Sequence, residues 1–206
     1  MTSAATLLAT AAELLSPLGL TIPGCAAPTP EAVLAYFRTR SQRYHFDVAA
    51  PLREFPPAGH DRTTLAQVMA HEFVLAGCPP YCFAGEIDWR FDNGYMEWHC
   101  WLCRQPYWLT LAEGYRQTGD DRYVAEWRAQ LLSWHDQVPP HYPAQGMVRA
   151  IDVGIRLTHW LRLLPVVLCS PACDELALAV FLHQVHAACE TLNAHGPAGY
   201  CPDNHG

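Results

Sequence analysis

The chain closes on Cys201-Pro202-Asp203-Asn204-His205-Gly206, which sets an amide beside an imidazole. A side-chain amide can donate to a carboxylate and steady negative charge as it develops. A neutral imidazole near pH 7 can accept a proton. Together Asn204 and His205 are candidates for removing a proton next to a carboxylate, the hard step of uronate elimination. A dipeptide of this kind also arises by chance in loops, so its weight depends on what surrounds it.

Other residues offer chemistry of their own. In "EWHCWLC", His99 and Cys103 stand four apart and Cys100 and Cys103 three apart, spacings that put them on one helix face. They match no zinc finger or ribbon, and buried thiols pack as small hydrophobes, so no metal is expected. Arg104 follows them, and "GMVRAIDVGIRLTHW" sets Arg149, Asp152, Arg156 and His159 along one stripe of a helix. Arg156 lies four residues after Asp152, which predicts a helical ion pair. The alternative is that Arg104, Arg156 or His159 meets an anionic substrate in a cleft. Glu97 and Arg104, seven apart, are expected to pair only loosely. Seven tryptophans are many for such a chain. Most belong in a core, but flat indoles also carry sugar rings, and Trp89, Trp98 and Trp101 are the candidate platforms. No P-loop, dinucleotide-type glycine motif or GxSxG motif occurs, and no cofactor is expected.

These groups must be positioned by a chain of 206 residues, half of them apolar, which suits one domain with a sizeable core. The formal charge of −7 argues against nucleic acid as a partner. All thirteen basic residues are arginine, the residue suited to bidentate recognition of carboxylate or sulfate. Nine cysteines, an odd number, do not form a small secreted framework and point to a reduced chain. The N-terminal stretch lacks a basic leader and carries Glu13 within its apolar run, so it reads as a helix. No run is apolar enough to span a membrane. As it reads, the chain is expected in the cytoplasm; a preceding export signal would place it in the periplasm or outside the cell.

Periodicity predicts an all-α protein of about seven helices packed as antiparallel hairpins. The expected helices cover 3–16, 30–44, 65–77, 97–117, 122–137, 147–168 and 173–195. Thr29, Pro30 and Glu31 mark a start, and Gly77 a stop. Pro106 predicts a kink in the fourth helix and Pro165 a bent or early end to the sixth. Asp92-Asn93-Gly94 is a turn, Asp120 a cap, and no segment reads as a sheet.

The succession "LAEGYRQTGDDRYVAEW", "IDVGIRLTHW" and the terminal "NH" resembles the heparinase II/III-type polysaccharide lyases and their alginate lyase relatives, over residues 63–206. The resemblance implies that residues 1–206 form part of an incomplete α/α toroid. It implies β-elimination at uronic acids of an acidic polysaccharide. The family uses an Asn against the uronate carboxylate and a His or Tyr as base, and its Asn-His motif falls on Asn204 and His205; its Gly-x-Arg arginine falls on Arg156 and a neighbouring tryptophan on Trp160, two residues that would hold the toroid together. The sequence departs from the family in having Met147 where a tryptophan is usual and Asp203 where the motif carries a second Asn. The family's catalytic tyrosine lies beyond this motif, so the chain is expected to be a truncated toroid, inactive alone, and to self-associate through the face that later helices would cover. Two other readings stand beside it. One is a helical binding or scaffolding module. The other is a toroid glycoside hydrolase using a carboxylate pair among Glu86, Asp88, Asp92 and Glu97.

Overall fold

The computed structural model describes residues 4–43, 61–139 and 149–194. Helix α1 (Ala4–Leu15) runs into a short 3-10 turn, Ser16–Leu18, that ends on left-handed Gly19. Helix α2 (Pro30–Arg43) begins where Thr29-Pro30-Glu31 predicts. Helix α3 (Leu65–Met69) is capped reciprocally: the Thr64 hydroxyl accepts from the Gln67 N–H, and the Gln67 amide oxygen accepts from the Thr64 N–H.

The helix expected to continue to Gly77 stops at Met69 instead. His71 takes a φ of 53°, and the chain turns into a short hairpin, β1 (Glu72–Phe73) antiparallel to β2 (Tyr81–Cys82), with Phe73 opposite Tyr81. Ala76 and Gly77 at φ 54° and 73° make its turn. This two-stranded sheet corrects the expectation of none. A run as apolar as residues 73–76 fits a buried strand as well as a buried helix face, and periodicity cannot separate the two.

The fourth expected helix is two: α4 (Met96–Arg104) and α5 (Trp108–Thr118). Pro106 cannot donate to the helix ladder, and Gln105 before it adopts φ 51°, so the chain breaks rather than bends. Gly119 at φ 70° closes α5, and α6 (Arg122–Gln137) follows, with the Asp120 carboxylate accepting from the Arg122 N–H. Helix α7 (Ala150–Val167) carries Pro165 in its last turn and ends two residues later; α8 (Glu175–Ala194) completes the described chain. Among the described residues no helix is long and apolar enough to cross a membrane.

Short connections force α5/α6 and α7/α8 to run as antiparallel hairpins. The hairpins stack, α5 on α7 and α6 on α8; α4 lies along α7, and α1 and α2 cover α8. Arg38 of α2 fastens that cover by donating to the carbonyls of Leu168, Ser170 and Cys173 around the α7–α8 turn.

Tryptophans fill the seam between the hairpins. Trp108 of α5 stacks on Trp160 of α7 at 5.4 Å and meets Trp89 and Trp127 edge-on. Trp89, Trp98, Trp108, Trp127, Trp134 and Trp160 are all fully buried. The hydrophobic gain from indoles of this size, each burying about 150–250 Å², belongs here to the core.

Candidate functional site

Helix α4 ends abruptly at Gln105, which leaves its last carbonyls without helical donors. Three side chains supply them. The Tyr107 hydroxyl donates to the Leu102 carbonyl at 2.8 Å, Arg156 to Cys103 at 3.3 Å, and His159 Nδ1 to Arg104 at 2.8 Å. Arg156 also places its guanidinium 5.2 Å from the Trp134 ring centre. Gln105 receives the indole N–H of Trp160 at 2.7 Å. The Gly-x-Arg-x-x-His-Trp run of α7 is thus a device for terminating α4, with a cation at its negative end. Burial pulls the Arg156 and His159 pKa values down, so His159 sits neutral against the carbonyl it serves.

One turn earlier lies a chain of charges. Arg104 donates through Nε to Asp152 at 2.7 Å and through Nη1 to Glu97 at 3.2 Å. Glu97 also accepts the Trp101 indole N–H at 3.0 Å, and the Arg104 guanidinium covers the Trp101 ring at 4.7 Å. The second oxygen of Asp152 accepts from Arg149 Nε, and Arg149 Nη2 reaches the Cys100 sulfur at 2.9 Å. Asp152 is wholly buried, while the side chains of Arg149 and Glu97 are 24% and 35% exposed. Two guanidiniums, those of Arg104 and Arg149, therefore meet two carboxylates along the α4–α7 seam, and Arg149 and Glu97 form its solvent edge.

Two sequence expectations change here. The carboxylate of Asp152 serves Arg104 and Arg149, not the i+4 residue Arg156. Glu97 and Arg104, seven apart, do pair, because the Arg104 side chain lies back along the helix over Trp101.

The candidate sugar platforms take other roles. Trp89 is buried and donates to Ser133 of α6, Trp98 is buried against Tyr81 and Phe91, and Trp101 is 3% exposed beneath Arg104. Their packing reading is the one the structure shows. Arg104, Arg156 and His159 come together, but as buried groups, 4–6% exposed, at a helix junction. Asn204 and His205 lie outside the described residues.

Near the α4 cysteines, His99 donates through Nδ1 to the Phe91 carbonyl and faces the Cys103 thiol with Nε2 at 3.5 Å. Burial drives the Cys103 thiol far up and the Cys100 thiol up as well, which favours neutral sulfur over the thiolate a metal requires. Among the described residues eight cysteines are free thiols, and no group of three or more His, Cys, Asp or Glu could hold a metal ion.

A second polar cluster escaped the sequence. His71 contacts Glu126 of α6 at 2.8 Å, and Glu126 accepts from Gln130, which in turn accepts the Trp108 indole N–H. A pocket of about 120 Å³ opens beside it, lined by His71, Glu86, Ile87, Glu126, Gln130 and Ser133. No spacing rule links positions 55 apart; the left-handed His71 is the local mark, and sequence does not reveal it.

Residues 26–200 match the family model described as Heparinase II/III N-terminus. The heparin-sulfate lyase of Pedobacter heparinus is 24% identical over 181 residues, covering 80% of this chain and 26% of that protein. The heparin-sulfate lyase of Bacteroides stercoris is 25% identical over 122 residues, covering 56% of this chain and 18% of that protein. The crystal structure of heparan sulfate lyase HepC from Pedobacter heparinus superposes with a TM-score of 0.70 at 23% identity, over 85% of this chain and 28% of that one. The chain thus spans about a quarter or less of the length of the curated relatives it matches. The shared fold makes the hairpins described above part of an α/α toroid.

Proposed function

We propose, from the premise that this chain belongs to the heparinase II/III N-terminus family, that the protein it forms is a polysaccharide lyase. Its substrate is an acidic, uronate-containing polysaccharide. The observation that carries the reading is the family match over residues 26–200, together with two relatives named as heparin-sulfate lyases. Heparan sulfate is accordingly the first substrate to test.

In this reading the Asn204 amide donates to the uronate carboxylate, which makes the C5 proton more acidic. His205 takes that proton. The C5–H electron pair forms the C4–C5 double bond as the C4–oxygen bond breaks, and the departing oxygen takes a proton from solvent, to which His205 returns its own. Stabilising charge that grows only in the transition state raises turnover rather than binding. The α4–α7 seam supports this chemistry by fixing the hairpins. Arg149, at the solvent edge of the seam, is more exposed than Arg104 or Arg156.

The hydrolase alternative needs two carboxylates facing one another across a cleft. Of its candidates, Asp88 and Asp92 accept from the N–H groups of Arg90 and Gly94 within their own turns, and Glu97 is held by Arg104 and Trp101. The product separates the two reactions. Incubation of a polypeptide of the relatives' full length with heparan sulfate is expected to release fragments ending in a 4,5-unsaturated uronate, detected by ultraviolet absorbance. Fragments with saturated ends carrying oxygen from labelled water would replace the lyase reading with hydrolysis.

Self-association belongs to the same proposal. Ile151 and Leu161 on one side of α7 are 38% and 51% exposed, and they would be covered by a second copy. Sedimentation equilibrium should show a concentration-dependent dimer that weakens on Leu161→Glu.

A further inference from the structure

His71 stands at the end of α3 with its backbone in the left-handed region, which disfavours a residue with a side chain. Its ring explains how that conformation is held. Nδ1 faces the carbonyl oxygen of Gly85 at 2.5 Å, and Nε2 faces Oε1 of Glu126 at 2.8 Å. A carbonyl oxygen only accepts, so Nδ1 carries a hydrogen. Nε2 then meets a carboxylate oxygen that already accepts from the Gln130 amide at 2.8 Å. A neutral imidazole would turn a lone pair on Nε2 toward that oxygen. The contact therefore needs a proton between Nε2 and Oε1. Burial of the Glu126 carboxyl is outweighed by the hydrogen bonds from His71 and Gln130, which keep it below its ordinary range, so the pair is an imidazolium clamped between a carbonyl and a carboxylate.

The clamp joins three elements. The backbone carbonyl of His71 accepts from the Phe83 N–H at 3.0 Å, which ties β2 to the end of α3. The ring ties Gly85 to α6. Beyond it, the chain is pinned independently: the Trp89 N–H donates to Gln137 at 3.0 Å, and the Gln137 amide donates to the Ile87 carbonyl at 2.8 Å. The segment 83–86 is thus fastened by the backbone and ring of His71, with the Phe83 ring seated against Phe73, Tyr81 and Phe91, and residues 87–90 are fastened by Gln137.

We propose that His71 is a pH-operated latch: protonated, it holds segment 83–86 against α6 as a wall of the pocket beside Glu126; deprotonated, it releases that segment while residues 87–90 stay in place. Other charges near it do not compensate. Glu86 lines the same pocket, Glu72 on β1 is engaged by Gln67 at 2.6 Å, and α3 contributes no charged residue. The hydrogen bond to Glu126 raises the pKa of His71, against an opposing effect of burial.

The sign follows. A histidine whose folded pKa lies above its open-state value of about 6.5 stabilises the closed state fully below that value. The stabilisation is lost as pH rises through the folded pKa, so opening increases about tenfold per pH unit between the two. Amide exchange on the 206-residue chain reads this directly. Protection of Phe83, corrected for intrinsic exchange, should fall with rising pH in step with the NMR titration of the His71 ring, while protection of Trp89 holds. Glu126→Gln should lower the His71 pKa and move the loss of Phe83 protection to lower pH. The latch is overturned if His71 titrates at or below the ordinary histidine value, if Phe83 protection ignores pH, or if Phe83 and Trp89 lose protection together. The wild-type measurement alone decides the matter should the variant not fold.

Discussion

Replacing Asp152 by alanine tests the charge chain that joins α4 to α7. Asp152 is fully buried and serves two arginines of unequal exposure: the Arg104 side chain is 7% exposed and that of Arg149 24%. Once the carboxylate is gone, Arg149 can turn to water, whereas Arg104 cannot. Removing one member of a buried pair costs about 3–5 kcal/mol, because the other charge stays desolvated. Glu97 at 3.2 Å and the Trp101 ring still face Arg104, which favours the lower end, about 3 kcal/mol. With a urea slope of about 2 kcal/mol/M, the midpoint of Asp152→Ala should drop by about 1.5 M with the slope unchanged. Asp152→Asn, which keeps an acceptor but no charge, should fall between. The double variant Arg104→Met with Asp152→Leu should recover much of the loss, since a packed apolar pair avoids the desolvation cost. An Asp152→Ala midpoint within about 0.2 M of wild type, or a double variant no better than the sum of the singles, would refute the reasoning.

Gln105 combines a left-handed backbone with the acceptor for Trp160, so its variants should rank wild type, then glycine, then alanine in urea unfolding. Glycine relieves the backbone but orphans a buried indole N–H at about 1–3 kcal/mol; alanine does the second without the first. Gly119→Ala, at φ 70°, should cost about 1 kcal/mol by thermal unfolding, because the turn between α5 and α6 needs the left-handed region. His135 accepts from the Gln184 amide at 2.9 Å, and burial, then the neighbouring His183, hold its pKa below the ordinary histidine value. Its contribution is present above the unfolded pKa of about 6.5 and lost as pH falls through the folded pKa. Urea midpoints should therefore decline on the acid side, and His135→Asn should flatten that decline.

The parts of the fold that were readable in the sequence rest on local rules. Thr29-Pro30-Glu31 marks the start of α2, and Val124, Trp127, Leu131 and Trp134 recur at helical spacing in α6, where all four are buried. The misread parts rest on tertiary contacts. Helix α3 stops early because the His71 ring is held by Gly85 and by Glu126, 55 residues away. Asp152 chooses Arg104, 48 residues distant, over Arg156 four residues on, because the latter's guanidinium is drawn to the open end of α4. Seven tryptophans could not be divided by composition between core and sugar platform, since both uses ask for the same flat apolar ring. The ordered segments around Arg156 and Trp160 were legible as family features; that they terminate a neighbouring helix required the break at Gln105 to be seen.

The central claim is that Asn204 and His205 act on a sugar acid. Turnover and affinity for a uronate oligosaccharide should be measured side by side for wild type, Asn204→Ala and His205→Ala, in a polypeptide of the relatives' full length. Groups that act mainly in the transition state should lose turnover by about 100-fold or more on removal, with binding changed far less. Turnover undiminished in both variants would contradict the account.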